Sequence, residues 1–454
     1  MRKRNLSERG VSAVAPLEAS EATADERDPS LALARALEFA GTGPSPSHVR
    51  TTRARTITRR GVMWLGQTCN LRCYFCYFLD RIEQKDHPEH AFMDLEKAKT
   101  ICKTLVDRYK NDAIDIQGGE PTIWKPIFEL VTYCHSIGLE PTLITNAIIL
   151  DDIDNCRKLK AAGIRDLLVS VHGLGEVHDR VVQLPGAHVR QMKALRNMRE
   201  VDIPFRFNCV LSKPVVSQLP YIAELAVKTG ALVVNFLAFN PFEDQAKGGR
   251  RSANNVPMYG EIEESLTRAL DVLDAAGVEA NVRYYPICMA QDRHRKSMYN
   301  FQQLPYDHHE WDYASWSWTG MQPQRMKDGD PSGGLPISTQ GLVARLRKPA
   351  ERVRKLPVIG DAAVRVHDEL GRLLDAVRDK DALYRQNARK RAESDCGYRY
   401  STQCDRCSVK NICDGFHGDY AALFGTDEAE PIALGLKVDD PLYYVSRQDK
   451  VVDG

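Results

Sequence analysis

The chain has 454 residues, and its twelve cysteines are unevenly spread. Cys69, Cys73 and Cys76 lie within CNLRCYFC; Cys396, Cys404, Cys407 and Cys413 form a second set near the other end. Cysteines two or three residues apart rarely have Cβ vectors that a disulfide can bridge, so tight clusters read as shared ligation. Three thiolates spaced C-x3-C-x2-C can grip three irons of a [4Fe–4S] cluster from one compact loop. The iron without a protein ligand is then open to a substrate or cofactor. Structural zinc takes four ligands, and the nearest further candidates here are His87 and His90. The second set, Cys396-x7-Cys404-x2-Cys407-x5-Cys413, offers four thiolates among basic neighbours. By spacing alone zinc and iron–sulfur both stay open there. Cys102, Cys134, Cys156 and Cys209 fall inside helix or strand patterns and read as small buried hydrophobes.

Positioning these groups requires a scaffold, and a rhythm begins at residue 61. Strand-length apolar runs occur at Gly61–Leu65, Ala113–Gln117, Thr142–Thr145, Asp166–Val171, Phe205–Leu211 and Leu232–Ala238. Helix-period segments lie between them, near 94–110, 125–137, 151–162, 187–200 and 218–229. Asp94 suits an N-cap; Gly138, Gly163 and Gly230 fall where helices should end. Strands alternating with helices imply a parallel sheet, and six units suit a partial (β/α)6 barrel better than a closed eightfold one. Active residues then belong at the C-terminal ends of strands. CNLRCYFC follows the first strand, and GGEPT (Gly118–Thr122) follows the second. Glycines there let backbone approach a ligand closely. Asn208 interrupts an apolar strand, and a buried polar group needs a partner.

On these residues the chain resembles the radical S-adenosylmethionine (SAM) superfamily, whose motif is C-x3-C-x-aromatic-C: here Cys69, Cys73, Phe75 and Cys76. The resemblance covers about residues 60–285. It implies a [4Fe–4S] cluster that binds SAM and, on reduction, cleaves it to a 5′-deoxyadenosyl radical that removes a substrate hydrogen atom. It also implies that Gly118, Gly119, Glu120 and Pro121 meet the methionine end of SAM, with the Glu120 carboxylate offered to its ammonium. Thr145, Asn146, Ser170 and His172, at strand ends, would contact the methionine and ribose; Asn208 would meet the adenosine. The segment HDRVVQLPG (178–186) is similar to a family segment HDxxR, but Val182 stands where the arginine belongs, so Arg180 is carried as the substitute.

The C-terminal run CDRCSVKNICDG resembles the core of the SPASM and twitch extensions, which carry auxiliary clusters. Where SPASM continues with a cysteine, this chain has His417, which implies one auxiliary [4Fe–4S] cluster rather than two. Cys396, Cys404, Cys407 and Cys413 are the simplest ligands; Cys288 could replace Cys396, and His417 could also ligate. A structural zinc knot is the alternative.

The expected organisation is a largely disordered segment 1–55 with a short helix at Leu31–Phe39. A barrel at 56–285 follows, then a connector of aromatics and basic helices at 286–395, and an auxiliary domain at 396–454. In the connector, Ala363, Val366, Leu370, Leu373, Leu374 and Val377 make an apolar stripe that reads as an ordinary packed helix face. Asp307, Glu310, the aromatics of 311–318, Asp419 and Tyr420 are pocket candidates with a structural role as the simpler account.

Composition narrows the function. Lys+Arg at 62 against Asp+Glu at 61 gives a net charge of +1, so no overall field favours nucleic acid or an anionic membrane. No apolar run approaches the ~20 residues that span a bilayer. No secretory core follows the opening residues, so a reducing, cytoplasmic setting is expected. No cobalamin-domain-sized segment or peptide-recognition module precedes the barrel, which tilts the reading toward a small-molecule substrate, with peptide maturation second. An electron donor such as flavodoxin or ferredoxin is a required partner. The rival class is a non-catalytic zinc- or cluster-binding interaction protein using residues 343–454; it leaves CxxxCxxC followed by GGEPT unexplained.

Overall fold

Nine strands line up in one open, all-parallel sheet in this computed structural model. The residues it describes are 28–43, 51–53, 60–76, 78–86, 90–107, 111–239, 253–300, 311–312, 397–448 and 450–452, with isolated positions between 356 and 373. A separate two-stranded ribbon pairs β1 (Thr51–Arg53) with β11 (Lys450–Val452), antiparallel. The main sheet runs β2 (Arg60–Trp64), β3 (Ala113–Gln117), β4 (Glu140–Thr145), β5 (Asp166–Ser170), β6 (Phe205–Leu211), β7 (Val233–Ala238) and β8 (Glu279–Arg283) in chain order. All six expected strands are present, and the sheet is a curled half-barrel. It crosses the expected boundary at residue 285. Short β9 (Met298–Tyr299) extends it beyond β8, and β10 (Trp311–Asp312) pairs with β2 at the other edge.

Eleven α-helices are present among the described residues. These are α1 (Pro29–Ala40), α2 (Leu79–Glu83), α3 (Leu95–Asp107), α4 (Ile127–Ser136), α5 (Ile153–Ala162), α6 (Glu176–Val182), α7 (Ala187–Glu200), α8 (Lys213–Val216), α9 (Leu219–Thr229), α10 (Tyr259–Ala275) and α11 (Gly418–Phe424). The Asp94 side chain accepts from the Glu96 and Lys97 amides at the start of α3, the expected cap. Ala98, Ile101, Cys102 and Leu105 form the buried stripe of α3. A Cβ at Gly61 would stand 2.7 Å from Leu105 Cδ1, so the small residue lets helix and strand close. Cys102 and Cys134 are buried and meet across α3 and α4 with sulfurs 3.4 Å apart; Cys156 and Cys209 are buried too, as small packing residues.

The short helix expected at Leu31–Phe39 is present as α1 (Pro29–Ala40). Asp28 caps α1, and Ala32, Leu33, Ala36 and Ala40 are buried. Arg199 of α7 donates to the carbonyls of Ala40 and Thr42, which satisfies the helix end. In the connector, Val366, Leu370 and Leu373 are 60%, 51% and 64% exposed, so these three are not the packed face expected of them. Asp307, Glu310, the side chains of 311–318, Ala363, Leu374, Val377 and Cys396 lie outside the described residues. No helix among the described residues is long and apolar enough to cross a membrane.

The two faces of the sheet differ in chemistry. Phe205, Phe207 and Cys209 on β6, and Val234 and Phe236 on β7, are fully buried against helices. The alternate positions carry polar residues among apolar ones: Asp115, Thr142, Asp166, Arg206, Asn208, Asn235, Glu279, Asn281 and Arg283. Side chains alternate along a strand, so these belong to the concave face. A parallel sheet covered on both faces would read as near-continuous apolar strands. This one carries buried polar side chains on its second face.

Candidate functional site

The cysteine loop leaves the C-terminal end of β2 and is fastened along its length. Thr68 Oγ1 donates to the His90 carbonyl at 2.6 Å. Arg72 folds back to donate to the carbonyls of Cys69 and Leu71. The amides of Arg72 and Tyr74 donate to the Val182 and Val181 carbonyls at the end of α6, both at 3.2 Å. Cys69, Cys73 and Cys76 are thiols outside any disulfide among the described residues, and their charges act on one another. Burial, then the negative Glu120, pushes Cys69 up to about 12. Burial and then Cys76 and Cys69 push Cys73 well above the ordinary thiol range. A cation among them would reverse that balance, since thiolates are the ligating form.

The GGEP turn at the end of β3 packs directly on this loop. Gly118 and Gly119 have φ of +104° and +50°. A Cβ on Gly118 would lie 2.5 Å from the Gly66 carbonyl oxygen, and one on Gly119 2.0 Å from that of Thr68. The close approach that requires glycine is therefore, in the first place, to the arm leading into Cys69. Glu120 is 1% exposed. Its Oε1 accepts from the Thr122 amide (3.0 Å), Thr122 Oγ1 (2.5 Å) and Thr145 Oγ1 (2.6 Å), and its Oε2 from the Asn146 amide (2.7 Å). Burial raises its pKa while these bonds lower it. Asn146 Nδ2 then donates to Asn70 Oδ1 at 2.8 Å. The web thus joins the ends of β3 and β4 to the cysteine loop. Glu120 accepts three of these bonds at Oε1 and one at Oε2, and Pro121 starts a short 3-10 turn beside it. Asn70 was not singled out from sequence; its position inside CNLRC was the available signal.

Phe75 sits edge-on to His172 at the end of β5, with centroids 4.6 Å apart, and to Phe239 after β7 at 6.1 Å. His172 Nδ1 accepts from the Val210 amide, and its own amide donates to His178 Nδ1. His188 of α7 follows at 5.4 Å from His178. Burial holds all three imidazoles neutral, His172 down to about 3 and His188 to about 4. Arg180, half-buried on α6, neighbours this column in sequence. Ser170 and Asn208 are register partners on β5 and β6. The row continues to Asn235 on β7 and Asn281 on β8, both missed from sequence. The signal was the one that flagged Asn208: a polar residue inside an apolar strand.

A second gathering of thiols lies between the end of β8 and residues 397–448. Cys288, Cys404, Cys407 and Cys413 line one cavity with an empty volume of about 350 Å³, part of it open to solvent. Ile432 donates its amide to Cys407 Sγ, and Gly415 to Cys413 Sγ, both at 3.4 Å. Burial raises the pKa of Cys288, to about 11, and also those of Cys404 and Cys413. His417 does not line the cavity; its Nδ1 accepts from the Asp419 amide at the start of α11, and its ring meets Tyr398. Tyr420 stacks on Tyr259 at 3.8 Å and accepts from its amide, a packing role that fixes α10 against α11.

The donor sets fit iron–sulfur clusters. Among the described residues no group of three His, Cys, Asp or Glu side chains is arranged to hold a single metal ion. In a cluster each thiolate binds its own iron, so the sulfurs surround a volume instead of meeting at a point. Amides directed at the sulfurs of the second set are a further match to such a group.

Residues 65–216 match the radical SAM superfamily. An AdoMet-dependent heme synthase from Methanosarcina barkeri is 30% identical over 41% of this chain and 53% of its own. A PqqA peptide cyclase from Rhodopseudomonas palustris is 30% identical over 37% of this chain and 43% of its own. The chain thus spans about half the length of these curated relatives. A crystal structure of Streptococcus suis SuiB bound to precursor peptide SuiA aligns over 50% of this chain and 49% of that one, at 15% identity and a TM-score of 0.41.

Proposed function

Residues 65–216 are a radical SAM domain, and on that premise we propose that the chain is a radical SAM enzyme acting on a small molecule. The observation that carries the radical SAM part is the loop of Cys69, Cys73 and Cys76, three mutually acting thiols at a strand end with GGEP packed on it, while the small molecule follows the similarity to an AdoMet-dependent heme synthase. When bound, a [4Fe–4S] cluster supplies the electron that splits the sulfonium C–S bond of SAM, giving methionine and a 5′-deoxyadenosyl radical that takes a substrate hydrogen atom.

The protein's own share is ligation, orientation and exclusion of water. Cys69, Cys73 and Cys76 hold three irons. Phe75, Gly118, Gly119, Pro121, Ser170, His172, Arg180 and Asn208 face the SAM side. Glu120, Thr145 and Asn146 keep that face in register through the web to Asn70. Neutral imidazole at His172 adds no positive charge beside a cationic sulfonium. Cys288, Cys404, Cys407 and Cys413 hold an auxiliary [4Fe–4S] cluster, with Cys288 in the position sequence reasoning first gave to Cys396. A reducing cytoplasm and an electron donor such as flavodoxin or ferredoxin complete the reading. Peptide modification is the second reading, favoured by the similarity to a PqqA peptide cyclase.

Anaerobic reconstitution tests both clusters. About eight irons per chain are expected, four for each cluster. With dithionite and SAM, 5′-deoxyadenosine should form. Zinc without iron would refute the enzyme reading. Cys73→Ala should abolish SAM cleavage and retain about half the iron; surviving cleavage would displace the site.

A further inference from the structure

Asn208, Asn235 and Asn281 stand side by side on three adjacent strands, in direct register. Adjacent strands lie about 4.8 Å apart, so the three carboxamides form a continuous row on the concave face. Asn235 and Asn281 are only 6% and 5% exposed. Apolar residues would pack there at lower cost, because a buried carboxamide must recover its lost hydration through hydrogen bonds.

The pair is only partly satisfied. Asn281 Nδ2 donates to Asn235 Oδ1 and to Glu279 Oε1, both at 3.1 Å. The Glu279 carboxylate accepts only, so it fixes which way the Asn281 amide points. Asn281 Oδ1 is then left buried with no partner among the described residues. Asn235 Nδ2 and the Asn208 carboxamide also have no hydrogen-bond partner among the described residues. Besides the Asn208 carboxamide, one acceptor on Asn281 and one donor on Asn235 therefore stand open on neighbouring strands. The charges around them do not suit a polyanion: Asp115, Asp166 and Glu279 share this face with Arg206 and Arg283, and Asp166 already occupies Arg206 at 2.9 Å.

We propose that Asn235 and Asn281 are substrate-anchoring residues that recognise an amide, with Asn281 Oδ1 taking its N–H and Asn235 Nδ2 its C=O. The assignment rests on the enzyme reading above, since it names the substrate chemistry of that same site. It leaves Asn208 to SAM and gives the next two strands to substrate.

The test uses the full-length, cluster-loaded protein and three probes. N-Acetylglycine N′-methylamide stands for a peptide unit, acetamide for an isolated carboxamide, and GTP for a polyanion. Binding is read by saturation-transfer NMR. At least one amide probe should bind, and Asn235→Leu and Asn281→Leu should each weaken it about tenfold, the effect of one lost hydrogen bond. Which amide binds separates a peptide from a small carboxamide. Where a leucine variant loses its melting transition, the side-chain NH2 signals of 15N-asparagine-labelled wild type replace it; the signals of Asn235 and Asn281 should shift with the amide probe. Amide binding indifferent to both residues, no amide binding, or GTP binding displaced by neither amide would overturn the proposal. SAM cleavage by the wild type is read separately. Its absence sinks the enzyme reading; its presence without amide binding sinks this proposal alone.

Discussion

A carboxylate buried as deeply as Glu120 needs several donors, and it has four, from Thr122, Thr145 and Asn146. Its neighbours then determine what a substitution costs. Glu120→Gln would turn an NH2 group toward donors and leave buried amides unpaired, a loss of about 1–3 kcal/mol in denaturant unfolding. The same variant should take up iron less completely at Cys69, Cys73 and Cys76, because Asn146 would no longer hold Asn70. Undiminished stability and iron content would deny the web its positioning role. Gly119→Ala is predicted to be more damaging, with its Cβ 2.0 Å from a backbone oxygen that cannot move without the cysteine loop. Iron content after reconstitution is the measurement. The motif was legible at this scale, since GGEPT announces itself. The use of the Glu120 carboxylate was not, because two of its four donors come from a strand end 25 residues away.

Among elements, α6 and α7 do what the helical rhythm did not disclose. The segment 178–186 reads as a motif from sequence, yet its first five residues complete the helix Glu176–Val182, whose C-terminal carbonyls clamp the cysteine loop. Behind it, His172, His178 and His188 are buried and neutral. In the unfolded chain they titrate near 6.5; folded, their values are depressed. Below pH 6.5 the unfolded state therefore binds more protons, so stability is present at neutral pH and falls as pH drops toward about 3. The melting temperature should decline from pH 7 to pH 5, and His188→Phe should flatten that decline. An unchanged acid limb would argue that the column is not linked to folding. At the other end of α7, Arg199 ties down α1. Arg199→Ala should release α1 to limited proteolysis at Gly41–Gly43 while the rest of the barrel stays resistant.

Across the whole molecule, the second thiol set shows what distance in sequence conceals. Cys288 and Cys404 are more than a hundred residues apart yet line one cavity, because β8 ends beneath the C-terminal segment that Tyr420 and Tyr259 pin in place. Cys288→Ser is predicted to lose about four irons and to keep SAM cleavage measurable, whereas Cys396→Ser should keep the full complement. Iron loss from Cys396→Ser alone would restore the first assignment. Along the chain one could read the alternation of strands and helices, the parallel sheet, and the clustering of Cys69, Cys73 and Cys76 after a strand. All of these are local: periodicity, caps and short spacings are written within a few residues of where they act. Folding brings four thiols to one cavity, ties Glu120 to the ends of two strands, and lines up three asparagines in one row. Those depend on strand register and on contacts between remote segments, and a linear pattern carries no record of either.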